Sequence, residues 1–115
     1  MKYAIPSKSN TGLNDFVEEH FGRALYFTIW DEETDSISVV ANQSNHFGGT
    51  KMPAEFLSEY SQAIVCSGIG TKAIQLCQTI NMKVFVGASG TIQETIEKIK
   101  AKELQEATAT DGCAH

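Results

Sequence analysis

Ala63-Ile64-Val65-Cys66-Ser67-Gly68-Ile69-Gly70-Thr71 reads as a buried strand that turns directly into a helix. An unbroken apolar run from Ala63 to Cys66, with no polar alternation, suits a strand covered on both faces. Two glycines then permit a tight turn, and a helix is expected to run on through Ile80. A second unit of the same kind follows. Val84-Phe85-Val86 is another buried strand, 87–90 turns the chain, and Thr91-x-x-Glu94 is a capping box. It opens a helix with Ile92, Ile96 and Ile99 at i, i+4 and i+7. Strands that alternate with helices lie parallel and are joined by right-handed crossovers.

The first half of the chain is patterned differently. Residues 2–5 read as a strand, followed by a polar loop over 7–12. Asn14 is placed to cap a short helix bearing Phe16, Val17 and His20, with Gly22 as its stop. Residues 24–30 and 36–41 form an antiparallel hairpin across the polar turn Asp31-Glu32-Glu33-Thr34-Asp35. A loop over 42–51 carries Gly48-Gly49, and 52–60 reads as a helix with Met52, Phe56 and Tyr60 on one side. With 62–66 and 83–86 as further strands, the expected fold is α/β: one three-layer domain with a mixed five-stranded sheet and helices on both faces. It occupies 1–107, leaving 108–115 as a tail with no core pattern, expected to be flexible.

Length and composition narrow the classes of function. A chain of 115 residues has the size of one domain. It carries 42% hydrophobic and 20% charged residues, as soluble globular proteins do. The net charge of −5 argues against nonspecific nucleic-acid binding, which needs a basic face. No apolar run approaches the roughly 20 residues that span a bilayer. The apolar run in residues 1–6 is too short for a secretion signal, so the expected location is the cytoplasm. Three cysteines, Cys66, Cys77 and Cys113, cannot all pair within one chain, and in a reducing compartment they read as thiols or ligands.

The stretch richest in chemistry is His20-Phe21-Gly22-Arg23-Ala24. It sets an imidazole, a turn glycine and a permanent positive charge together at the mouth of an apolar strand. That combination serves a soft or anionic ligand; a helix stop with a favourable cation is the plainer reading. Gly68 and Gly70 either expose helix-start N–H groups to an anion or merely allow a tight turn. Cys66 is either a soft ligand beside a helix start or a small buried hydrophobe. Cys77, between Ala73 and Ile80 on a helix face, reads as core. His46 lies in a loop, and Cys113 with His115 offer S and N donors from the tail.

Taken in order, these motifs resemble the dinitrogenase iron–molybdenum cofactor biosynthesis family, comprising NifX-type carriers, the C-terminal domain of NifB and small stand-alone relatives. The resemblance rests on HFGRA with its aromatic strand, the Gly-Gly loop, S-G-I-G-x-x-A, and V-G-A-x-G-T-I-x-E-x-I, over residues 1 to about 105. It implies a ribonuclease H-like fold with strand order 3-2-1-4-5, and the binding or carriage of iron–sulfur or molybdenum-containing clusters. No CxxC or CxxxC motif is present, so a conventional cluster on four cysteines is not supported.

The implied topology gathers 7–12, 42–51, 66–72, 87–90 and 20–23 on one edge of the sheet, where open α/β folds bind ligands. His20, Arg23, His46, Gly48, Gly49, Lys51, Cys66, Gly68, Gly70 and Lys72 are therefore the candidate cluster-binding residues. His20, Cys66, Cys113 and His115 are the candidate metal ligands. The expected function is a non-catalytic carrier of an iron–sulfur or iron–molybdenum-type cluster, working with a donor or acceptor protein and with neither nucleic acid nor membrane. The alternatives are a small-ligand or protein-binding regulatory module, and an enzyme using Cys66 in a C-x5-K loop of sulfurtransferase type. Lys72 lacks the bidentate fork that such loops use. Nuclease chemistry would need clustered carboxylates, and Tyr3, Ala4 and Ile5 supply none.

Overall fold

The computed structural model describes residues 1–44, 49 and 51–107. Its elements are β1 (Lys2–Ser7), β2 (Tyr26–Asp31), β3 (Ser36–Ala41), α1 (Pro53–Leu57), β4 (Ala63–Cys66), α2 (Thr71–Thr79), β5 (Lys83–Val86), α3 (Ile92–Lys100) and β6 (Gln105–Glu106). The sheet order is β3-β2-β1-β4-β5-β6. β1 pairs antiparallel with β2 and parallel with β4, so the hairpin and the crossover half join at the central strand.

The two faces of the sheet separate by strand alternation. Ala4, Ile64 and Cys66 point to one side and pack with Phe27, Phe56, Leu57, Ile74 and Cys77, which brings α1 and α2 onto that face. Tyr3, Ile5, Ala63 and Val65 point to the other and pack with Trp30, Ile92 and Ile96, which brings α3 there. This is the expected three-layer arrangement. The box at α3 is present in full. The Thr91 N–H donates to Glu94 Oε1 at 2.9 Å, and the Glu94 N–H donates to Thr91 Oγ1 at 3.1 Å.

Two features differ from the sequence expectation. First, no α-helix precedes β2. The chain makes a 3₁₀ turn at Gly12–Asn14, runs extended, and makes another at Phe21–Arg23. Asp15, not Asn14, organises this segment. Its Oδ2 accepts from the Ser9 N–H at 3.0 Å and the Ser9 hydroxyl at 2.9 Å, and its Oδ1 from the Phe16 N–H at 2.8 Å. Such local side-chain bonds compete with helix formation. Phe16 and Val17 alternate, one 57% exposed and the other 5%, as an extended chain requires. Gly22 therefore stops no helix. Second, a sixth strand exists. β6 pairs antiparallel with β5, and the Ala107 N–H donates to the Val84 carbonyl at 2.8 Å. Gln105 and Glu106 are exposed, so no apolar pattern announces them.

Candidate functional site

His20 forms a lone parallel bridge with Gly68. This contact stitches the segment before β2 to the loop after β4, bringing together two motifs that are 48 positions apart in the chain. Between them opens a cleft of about 960 Å³, within the size range of small-ligand sites. His20, Arg23, Gly68, Gly70 and Lys72 all line it. The structure thus gathers five of the expected binding residues.

The other candidates lie elsewhere. Lys51 Nζ is 2.8 Å from Glu59 Oε2 on the exterior, and Glu59 holds the ammonium pKa above its usual value. Gly49 donates its N–H to the Ser44 carbonyl, and a Cβ there would strike the Gln43 carbonyl, so its own loop demands a glycine. Cys66 is fully buried in the core, its thiol donating to the Phe85 carbonyl at 3.7 Å. None of these three lines the cleft. Cys77 is fully buried as expected, and burial pushes its thiol pKa up to about 11. His46, Gly48, Cys113 and His115 lie outside the described residues.

Most of the lining is apolar, and sequence reading missed it. Phe21, Ile69, Ala73 and Leu76 form the inner wall, while Pro53 and Ala54 add the start of α1. Leu25 and Met52 also line the cleft and are 54% and 46% exposed. An exposed Leu just before a strand gave only a faint signal, and contacts from α1 depend on the packing of that helix.

The charged groups at the cleft are Glu19, His20, Arg23 and Lys72. Among the described residues, neither Arg23 nor Lys72 enters an ion pair. The start of α2 sits beside them. Its cap, Gly70, offers no side chain, and its first turn holds no acid, so its N–H groups lack a side-chain partner among the described residues. The adjoining Thr71 Oγ1 is buried without a hydrogen-bond partner among the described residues. Gly22 and Gly70 add a further property. A Cβ built on either meets nothing within 4 Å, and neither has a positive φ. Backbone conformation and packing would therefore accept a side chain at both positions; what a side chain would occupy is cleft. The arrangement can hold a large anion against an apolar wall, with cations, one imidazole and a helix N-terminus around it.

The sequence matches the model of the dinitrogenase iron–molybdenum cofactor family over residues 1–102. No curated protein matches it. Among solved structures the chain is similar to PH0822, with 27% identity and a TM-score of 0.79 over 93% of this chain and 96% of that one. It is similar to a Thermotoga protein described as of NifB type, with 30% identity and a TM-score of 0.74 over 91% of each chain. It shares its fold with the apo orange protein of Desulfovibrio gigas, at 20% identity and a TM-score of 0.77 over 92% of each chain.

Proposed function

Because the chain belongs to the dinitrogenase iron–molybdenum cofactor family, we propose that its cleft takes up an iron–sulfur or molybdenum-containing cluster as cargo and releases it unchanged. The observation that carries this reading is the junction of His20–Gly68, which puts the HFGR segment and the S-G-I-G loop on the two sides of one cleft. The residues present suit such a cargo. His20 offers one nitrogen to a metal. Arg23 and Lys72 offset negative charge, and the start of α2 adds N–H groups that have no side-chain partner among the described residues. Gly22 and Gly70 leave space where side chains would otherwise stand.

The protein acts in this reading as a carrier and not as an enzyme. The C-x5-K alternative needs an accessible nucleophile, and Cys66 is enclosed in the core. His46, Cys113 and His115 remain candidate ligands, with Cys66 able to join only if the end of β4 opens. A donor protein and an acceptor protein complete the cycle, in the cytoplasm. No helix among the described residues is long and apolar enough to cross a membrane.

Anaerobic purification from the native host, with metal analysis and a visible spectrum, tests the reading. Iron or molybdenum with charge-transfer bands is the expected result. His20→Ala should then weaken cluster retention while leaving the thermal midpoint unchanged, since the side chain is exposed. A colourless protein that also refuses added cluster would favour a protein-binding module instead, for which the exposed Leu25 and Met52 at the cleft are the supporting observation.

A further inference from the structure

We infer that the outer edge of β3 is a self-association surface, through which two copies of the chain pair antiparallel about a twofold axis at Val39. The sheet order leaves β3 and β6 as its outer strands. β6 is only two residues long, and both are exposed. β3 has six residues, in one-to-one register with β2 and without a bulge. It holds no charged residue and no proline. Charge, proline, bulges and shortness are the means by which proteins block an open edge, and β3 uses none of them.

The ladder fixes which groups this edge presents. The Asn42 N–H donates to the Leu25 carbonyl at 2.9 Å, and bonded pairs recur at every second residue of an antiparallel ladder. Ser36, Ser38 and Val40 therefore bond inward to β2, while Ile37, Val39 and Ala41 turn their N–H and C=O groups outward. Among the described residues no strand receives them. A second copy receives them in one register. Centred on Val39, it sets Val39 opposite its counterpart and Ile37 opposite Ala41, so all three outward residues are paired. Centred on Ser38, Ala41 would need Asp35, whose φ of +51° takes it out of the extended strand. In the Val39 register residues 36–42 face one another, and all are neutral. The two Val39 side chains meet as a β-branched pair. An extended peptide offers the same backbone bonds but loses chain entropy in becoming a strand. A copy brings a strand of matching length already ordered. Leu25 places the cleft beside the Ala41 end of β3, so antiparallel pairing sets the two clefts at opposite ends of the shared ladder.

Sedimentation equilibrium and amide hydrogen exchange of the full chain, each over a concentration series, test this. The expected result is a dimer that forms as concentration rises and tightens with salt, because each copy carries a net charge of −5. The amides of Ile37, Val39 and Ala41 should exchange freely when dilute and become protected in the dimer, while those of Ser38 and Val40 are protected throughout. Val39→Lys and Val39→Glu, each with its thermal midpoint checked, should weaken self-association about fivefold or more by opposing like charges. Mixed together, the two variants should pair again. A chain that stays monomeric at millimolar concentration overturns the inference. So does protection of the Ile37, Val39 and Ala41 amides in dilute protein, or a dimer that leaves them unprotected. Folded lysine and glutamate variants that pair no better mixed than apart overturn the Val39 register. Cluster uptake by the two variants should match wild type, which separates this edge from the cleft.

Discussion

Gly22 and Gly70 show how a single residue can be set by something other than the fold. Glycine at Gly12 is conformationally required, with φ of +83° and the Ile37 Cδ1 atom only 3.2 Å from a built Cβ. Gly22 and Gly70 have neither constraint. Gly22→Ala is therefore expected to keep or raise stability, by about 0.5 kcal/mol, through a less flexible unfolded chain. Gly70→Ala, at a cap, should be close to neutral. Both should reduce cluster uptake. A denaturation curve beside a cluster titration checks this, and unchanged uptake in both variants would assign the glycines no role at the cleft. Cys77 is the opposite case, a residue set wholly by packing. Its thiol rises from an ordinary 9.0 to about 11 because burial disfavours the thiolate. A raised folded value means that the unfolded chain ionises first, so the stability it contributes is intact below pH 9 and declines as pH rises towards 11. Cys77→Ala should cost about 1 kcal/mol at neutral pH. Urea midpoints at pH 7 and pH 11 should show that difference shrinking at the higher pH.

At the scale of elements, α3 and β6 illustrate local and borrowed stability. The start of α3 is closed by its own residues. The Thr91 N–H and hydroxyl both donate to Glu94, and these bonds hold its carboxyl below the usual value of 4.5. A lowered folded value contributes stability that is present above pH 4.5 and lost as pH falls through the lowered value. Thr91→Ala should cost about 1 kcal/mol at pH 7, and the gap from wild type should be smaller at pH 3. The strand β6 has no such local support, since two exposed residues cannot hold a strand alone. It exists because β5 would otherwise be an open edge. Ending the chain after Lys102 removes its ladder bonds and the buried Ala107, 6% exposed. A loss of roughly 1–2 kcal/mol is expected, with increased self-association visible in sedimentation.

Over the whole molecule, a chain of net charge −5 brings two of its cations, Arg23 and Lys72, to one cleft. Lys51 pairs with Glu59, and Lys100 lies 3.3 Å from Asp35 while its ammonium sits 5.6 Å from the centre of the Trp30 ring. Arg23 and Lys72 face the cleft without such partners among the described residues. Arg23→Ala should speed loss of bound cluster several-fold, and Lys72→Ala should slow capture and flatten its salt dependence. Lys51→Ala and Lys100→Ala should do neither. Stopped-flow capture and release across a salt series measures all four. Release from Lys100→Ala as fast as from Arg23→Ala would place the binding edge elsewhere.

The alternation of apolar runs with helical patterns was sufficient to specify β1 to β5, the hairpin, the three layers and the α3 cap, because burial and capping are written in adjacent residues. The HFGR and S-G-I-G motifs were legible for the same reason, as were the identities of His20, Arg23 and Lys72. Tertiary structure alone decided which of the gathered residues meet. Arg23 and Lys72 face one cleft, while Lys51 turns to Glu59 and Cys66 into the core, since a side chain's direction depends on partners remote in sequence. It also decided that residues 16–17 run extended, where four hydrogen-bond donors converge on Asp15, counting the weaker contact from Thr11 at 3.4 Å. The apolar wall of the cleft was invisible in the sequence on the same grounds. Its members come from three separate stretches of chain, and only the packing of α1 and α2 on the sheet makes them one surface.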